Sequence, residues 1–110
     1  MTEDEVKALA EKRGFVLWAT YRDGRLQFMD RFGINITVQP ETASFELGWI
    51  IPKSIFTIDC PSCSPFDDDE HFNKIYRKFK RNVWICRDAL EDAGEVSYVQ
   101  EKEKERPNHD

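Results

Sequence analysis

The sequence predicts an α+β domain, built as a five-stranded antiparallel meander with an N-terminal and a C-terminal helix packed on one face. Short segments of alternating apolar and polar residues follow one another between residues 15 and 59, as antiparallel strands joined by tight turns do. Segments with helical spacing of apolar residues stand before and after them. We expect residues 1–97 to form this single domain and residues 98–110 to be a polar, flexible tail.

The first helix is predicted over residues 3–13. Thr2 and Glu5 form a capping-box pattern, in which the Thr2 hydroxyl accepts from the amide of Glu5 and the Glu5 carboxylate accepts from the amide of Thr2. Gly14 suits the end of the helix, because glycine readily adopts the left-handed conformation that terminates one.

The first two strands are predicted to form a β-hairpin. Asp23 and Gly24 favour a two-residue type I′ turn, which requires positive φ angles. This turn places Trp18 opposite Met29, and it assigns alternate residues of both strands to the core side. The predicted core side consists of Phe15, Leu17, Ala19, Tyr21, Leu26 and Phe28.

The remaining elements follow from apolar spacing. Alternation predicts strands over residues 32–38 and 45–51, and residues 54–59 complete the sheet as a fifth strand. From about residue 70 to 91 the apolar side chains recur at helical spacing, which predicts the second helix. The acids at 67–69 suit its N-terminus as caps, because carboxylates there accept amide hydrogen bonds and complement the helix dipole.

Composition restricts the class of protein. With 110 residues, 40% of them hydrophobic and 13% aromatic, the chain is able to bury a core without a stabilising metal or disulfide. It has no apolar run near the ~20 residues that span a bilayer, so we expect no membrane partner. The acidic start differs from a signal peptide, and three cysteines suit a reducing compartment, so the expected localisation is cytoplasmic. The net charge of −5 is concentrated near the C-terminus, where residues 91–110 hold seven acids and three bases.

Cys60 and Cys63 have the spacing with which two thiolates hold one zinc ion from a tight turn. His71 is the candidate third ligand, but the second pair of ligands of a closed structural site is missing. The same spacing occurs in redox thiol pairs, although the acids at 67–70 would raise a thiol pKa rather than lower it. The expected cofactor is therefore none, and the alternative is zinc at Cys60, Cys63 and His71.

The sequence shows no complete catalytic set. His71 as a general base would need a partnered nucleophile, and no serine, cysteine or glycine-rich loop is positioned by motif to supply one. We therefore expect a protein that is not an enzyme.

One face of the second helix is basic. Lys74, Arg77, Lys78 and Arg81 share that face by i, i+3 and i+4 spacing. Such a stripe is able to follow a nucleic-acid backbone or to attract an acidic protein surface, and the alternative is a solvated helix face.

An apolar patch is predicted on the side of the sheet that the helices leave open. Val16, Trp18 and Met29 lie there, where a solvated surface would carry polar residues. The alternative is that residues 39–44 or 93–100 fold back over them.

These observations favour a small cytosolic, non-enzymatic protein-binding module, an adaptor or inhibitor of the phage or bacterial accessory type. It would act through the apolar sheet face, with the basic helix steering an acidic partner. The partner is another protein or a second copy in a homodimer. Two alternatives remain: nucleic-acid binding through the basic face of the last helix, and a small zinc-binding domain with the Cys-x-x-Cys site.

Overall fold

The computed structural model describes residues 1–50, 57–59 and 63–92. They form an α+β domain with a four-stranded antiparallel sheet and two helices, which confirms the predicted fold class. Each of these strands pairs with the next one along the chain. The elements are α1 (Glu3–Lys12), β1 (Val16–Thr20), β2 (Leu26–Met29), β3 (Ile34–Gln39), β4 (Ser44–Ile50) and α2 (Asp69–Asp92).

A three-residue segment, β5 (Thr57–Asp59), pairs with β4 in the antiparallel sense. The predicted strand over residues 54–59 also includes residues outside the described part of the chain. The five-stranded meander therefore stays a prediction, as does the packing of both helices on one face. The predicted tail, residues 98–110, lies outside the described residues as well.

Helix α1 begins at the predicted capping box. The Thr2 hydroxyl accepts from the Glu5 amide at 3.1 Å, and the Glu5 carboxylate accepts from the Thr2 amide at 3.1 Å. These hydrogen bonds favour the ionised carboxylate and lower the pKa of Glu5. The helix stops next to Gly14, whose φ of +89° is open to glycine without strain.

The β1–β2 turn differs from the prediction by one residue. The Gly24 amide donates to the Tyr21 carbonyl at 3.0 Å, and the Tyr21 amide donates to the Arg25 carbonyl at 2.9 Å. Gly24, with φ of +93°, is the one residue of this turn in the left-handed region. The loop is therefore a three-residue turn ending in a left-handed glycine, and the predicted type I′ turn is wrong.

A β-bulge shifts the register of the same hairpin a second time. Thr20 pairs with Leu26, whereas Val16 pairs with Met29, because the register slips between Leu17 and Ala19. Trp18 is the extra residue of this bulge, so the predicted pairing of Trp18 with Met29 is wrong.

The shift at the turn explains two errors in the predicted core side. Tyr21 points away from the core, and its hydroxyl donates to the side chain of Gln27 at 2.9 Å. Ala19 pairs with Gln27 instead of Phe28, whereas Leu17, beyond the bulge, pairs with the buried Phe28 on the core side as predicted and stays 43% exposed. A one-residue slip moves a side chain to the other face of a strand, and the sequence alone does not reveal the slip.

The core lies between one face of the sheet and the inner stripe of α2. Strands β2, β3 and β4 bury alternate residues on that face, as their register requires. Helix α2 buries residues at helical spacing against them. The buried residues of the strands are Leu26, Phe28, Ile34, Ile36, Val38, Phe45, Leu47 and Trp49, and the inner stripe of α2 includes Phe72, Phe79 and Val83.

The two helices meet at a cluster that we call the helix junction: Arg13, Phe66, Asp69 and Phe72. The Arg13 guanidinium lies 4.2 Å from the centre of the Phe72 ring and 4.6 Å from that of Phe66. It also donates to the Asp69 carboxylate at 2.7 Å, which lowers the pKa of Asp69. The cation is thus held by two aromatic faces and one carboxylate, and it joins the end of α1 to the start of α2.

Candidate functional site

The most exposed apolar side chains of the described residues include two on β1. Val16 is 71% exposed and Trp18 is 66% exposed. Met29, paired with Val16 across the hairpin, is partly buried beside them. We call these three residues the β1 patch. Because Val16 and Met29 alternate with core residues along their strands, they lie on the sheet face that points away from α2.

Strand β1 stands at an edge of the sheet, since it pairs only with β2 among the described strands. Edge strands are commonly protected from unwanted association by charged residues, proline or bulges. No charged residue occurs between Gly14 and Tyr21, and the bulge at Trp18 is the protective feature that β1 has. The bulge interrupts the backbone hydrogen-bonding pattern that a further strand would need to pair with β1. A partner would therefore contact the side chains of β1 rather than its backbone.

Two segments, residues 39–44 and 93–100, were expected as alternatives to cover the patch, and the structure describes only the first of them. Residues 39–44 belong to the β3–β4 connection, and they leave both Val16 and Trp18 exposed. Residues 93–100 lie outside the described part of the chain. Trp49, another tryptophan of the sheet, is buried in the core.

The basic stripe, which we define as Lys74, Arg77, Lys78 and Arg81, is exposed along its whole length. Together with Glu70 and Asn73 it lines an open groove of about 720 Å³. The stripe lies on the opposite side of α2 from the inner stripe that packs into the core.

The basic stripe and the β1 patch face in opposite directions. Helix α2 packs on the core face of the sheet, as the contact between the Phe72 and Phe45 rings at 5.2 Å shows, and its cations point outward. Val16 and Met29 of the β1 patch lie on the other face of the sheet. A single compact partner therefore contacts one of these surfaces and not both.

Cys63 and His71, two of the three predicted zinc ligands, both lie next to Phe45. Cys63 pairs with Phe45 through two backbone hydrogen bonds of 2.7 and 2.8 Å, and the His71 ring lies 6.4 Å from the Phe45 ring. The Nε2 atom of His71 is buried without a hydrogen-bond partner. Cys60 lies outside the described residues. The described part of the chain contains no group of three or more potential metal ligands, and the zinc site stays a prediction.

Of the acids at 67–69, Asp68 caps the helix terminus as predicted. The Asp68 carboxylate accepts from the His71 amide at 3.0 Å, which satisfies one of the free amides in the first turn of α2. Asp69 is the acid that binds Arg13 at the helix junction. Both acids therefore have structural partners.

The sequence analysis missed a buried polar pair, Asp30 and Tyr76. The Tyr76 hydroxyl donates to one carboxylate oxygen of Asp30, and the other oxygen accepts from the amides of Phe32 and Ile34 at 2.9 and 3.0 Å. Burial raises the pKa of both side chains. The pair fastens α2 to the β2–β3 turn. Asp30, three residues before Gly33, has the spacing of a turn-capping aspartate, which was the available signal.

Within the described residues, neither helix combines the length and the apolar character that crossing a bilayer requires. Comparison of the chain with protein-family models, with curated protein sequences and with solved structures finds no match in any of the three.

Proposed function

We propose that this chain is a small cytosolic, non-enzymatic protein-binding module whose partner docks on the β1 patch. The observation that carries the proposal is the exposure of both Val16 and Trp18, two residues apart on an edge strand. Exposed aromatic side chains forgo the stabilisation that burial would bring, and contiguous exposed apolar groups are typical of interaction sites.

The side chains of the patch suit a protein partner. Tryptophan is enriched among the residues that dominate binding energy, because it buries a large area with few rotatable bonds. Val16 and Met29 supply an apolar surround on the same face. The neighbouring Tyr21 and Gln27 are joined by a hydrogen bond and supply polar groups at the border.

The proposal extends to the arrangement of the fold, a five-stranded meander with both helices on one face. In a five-stranded meander with both helices on one face, the other sheet face is left for a partner. Adaptors and inhibitors of the phage or bacterial accessory type are small proteins of this general size and charge, which makes that class our proposal for the biological role. The partner is another protein or a second copy of this chain.

The proposal is tested with the double variant Val16→Ser/Trp18→Ser. The matched control is Ile85→Ser, which removes an apolar side chain that is 60% exposed on α2. Wild-type and variant proteins are used as bait in source-cell extract with quantitative crosslinking, and their own association is measured by sedimentation velocity. Loss of a dominant tryptophan contact weakens binding by roughly 30-fold, equivalent to about 2 kcal/mol.

We expect a partner, or a homodimer, that is lost in the double variant and retained in Ile85→Ser. A dimer lost only in the double variant identifies a second copy as the partner. If the double variant retains every partner and the association state of the wild type, the β1 patch is not a docking surface and the proposal is wrong.

A further inference from the structure

The outer face of α2 is a separate surface with its own chemistry. Its groove is lined by the four cations of the basic stripe, by Asn73, and by Glu70 at the N-terminal end. Lys74, Arg77 and Lys78 make no ion pair within the described residues. The positive charges of these three side chains are therefore not neutralised by an ion pair within the described residues.

The groove has no apolar or aromatic side chain among its described lining residues. A stable protein interface requires apolar or aromatic anchors at its centre, and binding of single-stranded nucleic acid relies on aromatic rings that stack on bases. The nearby aromatic residues of α2 are engaged elsewhere: Tyr76 binds Asp30, and Trp84 is buried. The surface is therefore suited to a partner that is recognised by its negative charge alone.

The spacing of the cations suits the phosphate backbone of a duplex. Lys74 to Arg81 spans about 10 Å along the helix axis at the α-helical rise. A duplex carries one negative charge per roughly 1.7 Å of its axis, so several phosphates lie within reach of the stripe. Lysine and arginine side chains on a straight helix adjust to such a backbone without reading its sequence.

The negative net charge of the whole chain does not remove this local attraction. Charges farther away than the Debye length, about 10 Å at 0.1 M salt, are largely screened. The β1 patch lies on the opposite side of the domain, so binding at one surface leaves the other accessible.

We infer that the basic stripe of α2 binds the phosphate backbone of a nucleic-acid duplex without sequence preference, at the same time as the β1 patch holds a protein. The chain then links a protein partner to nucleic acid. Binding of the duplex does not depend on the proposed function, because the two surfaces share no residue.

The test is fluorescence anisotropy of a labelled mixed-sequence DNA duplex of about 20 base pairs, titrated with the full chain at several salt concentrations. With four phosphate contacts, the affinity falls by roughly 100-fold between 50 and 200 mM salt. The double reversal Arg77→Glu/Arg81→Glu is expected to reduce affinity by more than tenfold at low salt.

The matched control is Arg22→Glu/Arg25→Glu, which lowers the net charge by the same amount at exposed positions in the β1–β2 turn, away from the stripe. It should bind the duplex within about threefold of wild type, because charges at that distance are screened. Val16→Ser/Trp18→Ser should also bind it normally, which separates this inference from the proposed function.

Three outcomes would overturn the inference. The first is no duplex binding at 50 mM salt, and the second is equal loss of affinity in the stripe variant and the charge control. The third is displacement of the duplex by polyglutamate as effectively as by unlabelled duplex, because that result would assign the stripe to an acidic polypeptide. Retained binding in the control, with a steep salt dependence, supports it.

Discussion

The helix junction and the β1 patch use similar side chains in opposite ways. At the junction, the Arg13 side chain is only 7% exposed and its cation lies over two aromatic rings. Phe72 is buried and contacts several other aromatic rings. On β1, Trp18 is 66% exposed and Val16 is 71% exposed. The domain thus buries aromatic residues at the junction and leaves Trp18 exposed to solvent on β1.

This difference separates stability from binding. Each ring at the junction is removed from water on folding and packs edge-to-face, tilted or stacked against its neighbours, so it stabilises the folded state. Trp18 gains little of that stabilisation because most of its surface stays in contact with solvent. The large apolar residues of β1 are therefore available for a partner at small cost to the fold.

The largest expected effect comes from deleting a ring at the junction. Phe72→Ala should lower the free energy of unfolding by about 3–5 kcal/mol, because it leaves a cavity among Phe15, Phe45 and Phe66 that the packed rings cannot fill. Urea unfolding followed by tryptophan fluorescence measures this loss. A loss below about 1 kcal/mol would show that the junction is not a stabilising centre.

A smaller effect is expected from the titration of Asp30. Burial raises its folded-state pKa above the unfolded value, so the folded state binds the proton more tightly. The contribution of this group to stability is fully present below the unfolded pKa of about 3.9, and it is lost as the pH rises through the raised folded pKa. Wild type should therefore gain stability relative to Asp30→Asn as the pH falls from neutrality towards about 4.

The Asp30→Asn variant is a suitable comparison because the oxygen of an amide side chain at this position still accepts from the amides of Phe32 and Ile34. Urea unfolding of both proteins across the pH range provides the measurement. Other carboxylates, such as Asp69, titrate equally in both proteins and cancel in the difference. A difference that stays constant with pH, or that has the opposite sign, would contradict this assignment.

The smallest expected effect is on the β1 patch. Val16→Ser/Trp18→Ser should change the free energy of unfolding by no more than about 0.5 kcal/mol, as expected for surface positions. Thermal and urea unfolding beside Phe72→Ala measure the contrast directly. A loss comparable to that of Phe72→Ala would show that Trp18 stabilises the fold as a core residue does. The β1 patch and the helix junction would then not differ in their contribution to stability.

Elements governed by local interactions were predictable. The capping box of Thr2 and Glu5 involves residues three positions apart, and it forms as the sequence indicated. The basic stripe follows from helical spacing alone, and all four of its cations are exposed. Asp68, one of the acids predicted to cap α2, also accepts from an amide of its first turn.

The hairpin was less predictable because its register depends on two local backbone features, the length of its turn and the presence of a bulge. Asp23 and Gly24 are compatible with both a two-residue and a three-residue turn, and the bulge at Trp18 has no signature in the sequence. The pair of Asp30 and Tyr76 joins residues 46 positions apart, so only the packing of α2 against the sheet reveals it.

The sequence by itself determined the α+β class, both helices, the alternating strands and the cationic face of α2, because these depend on periodicity and on near neighbours along the chain. Tertiary structure alone decided that Trp18 is exposed while Trp49 is buried, and that Arg13 lies between Phe66 and Phe72. It also decided that Tyr76 of α2 binds Asp30 of the β2–β3 turn. The physical reason is that burial and orientation depend on register and on contacts between residues distant in the chain, which periodicity does not encode.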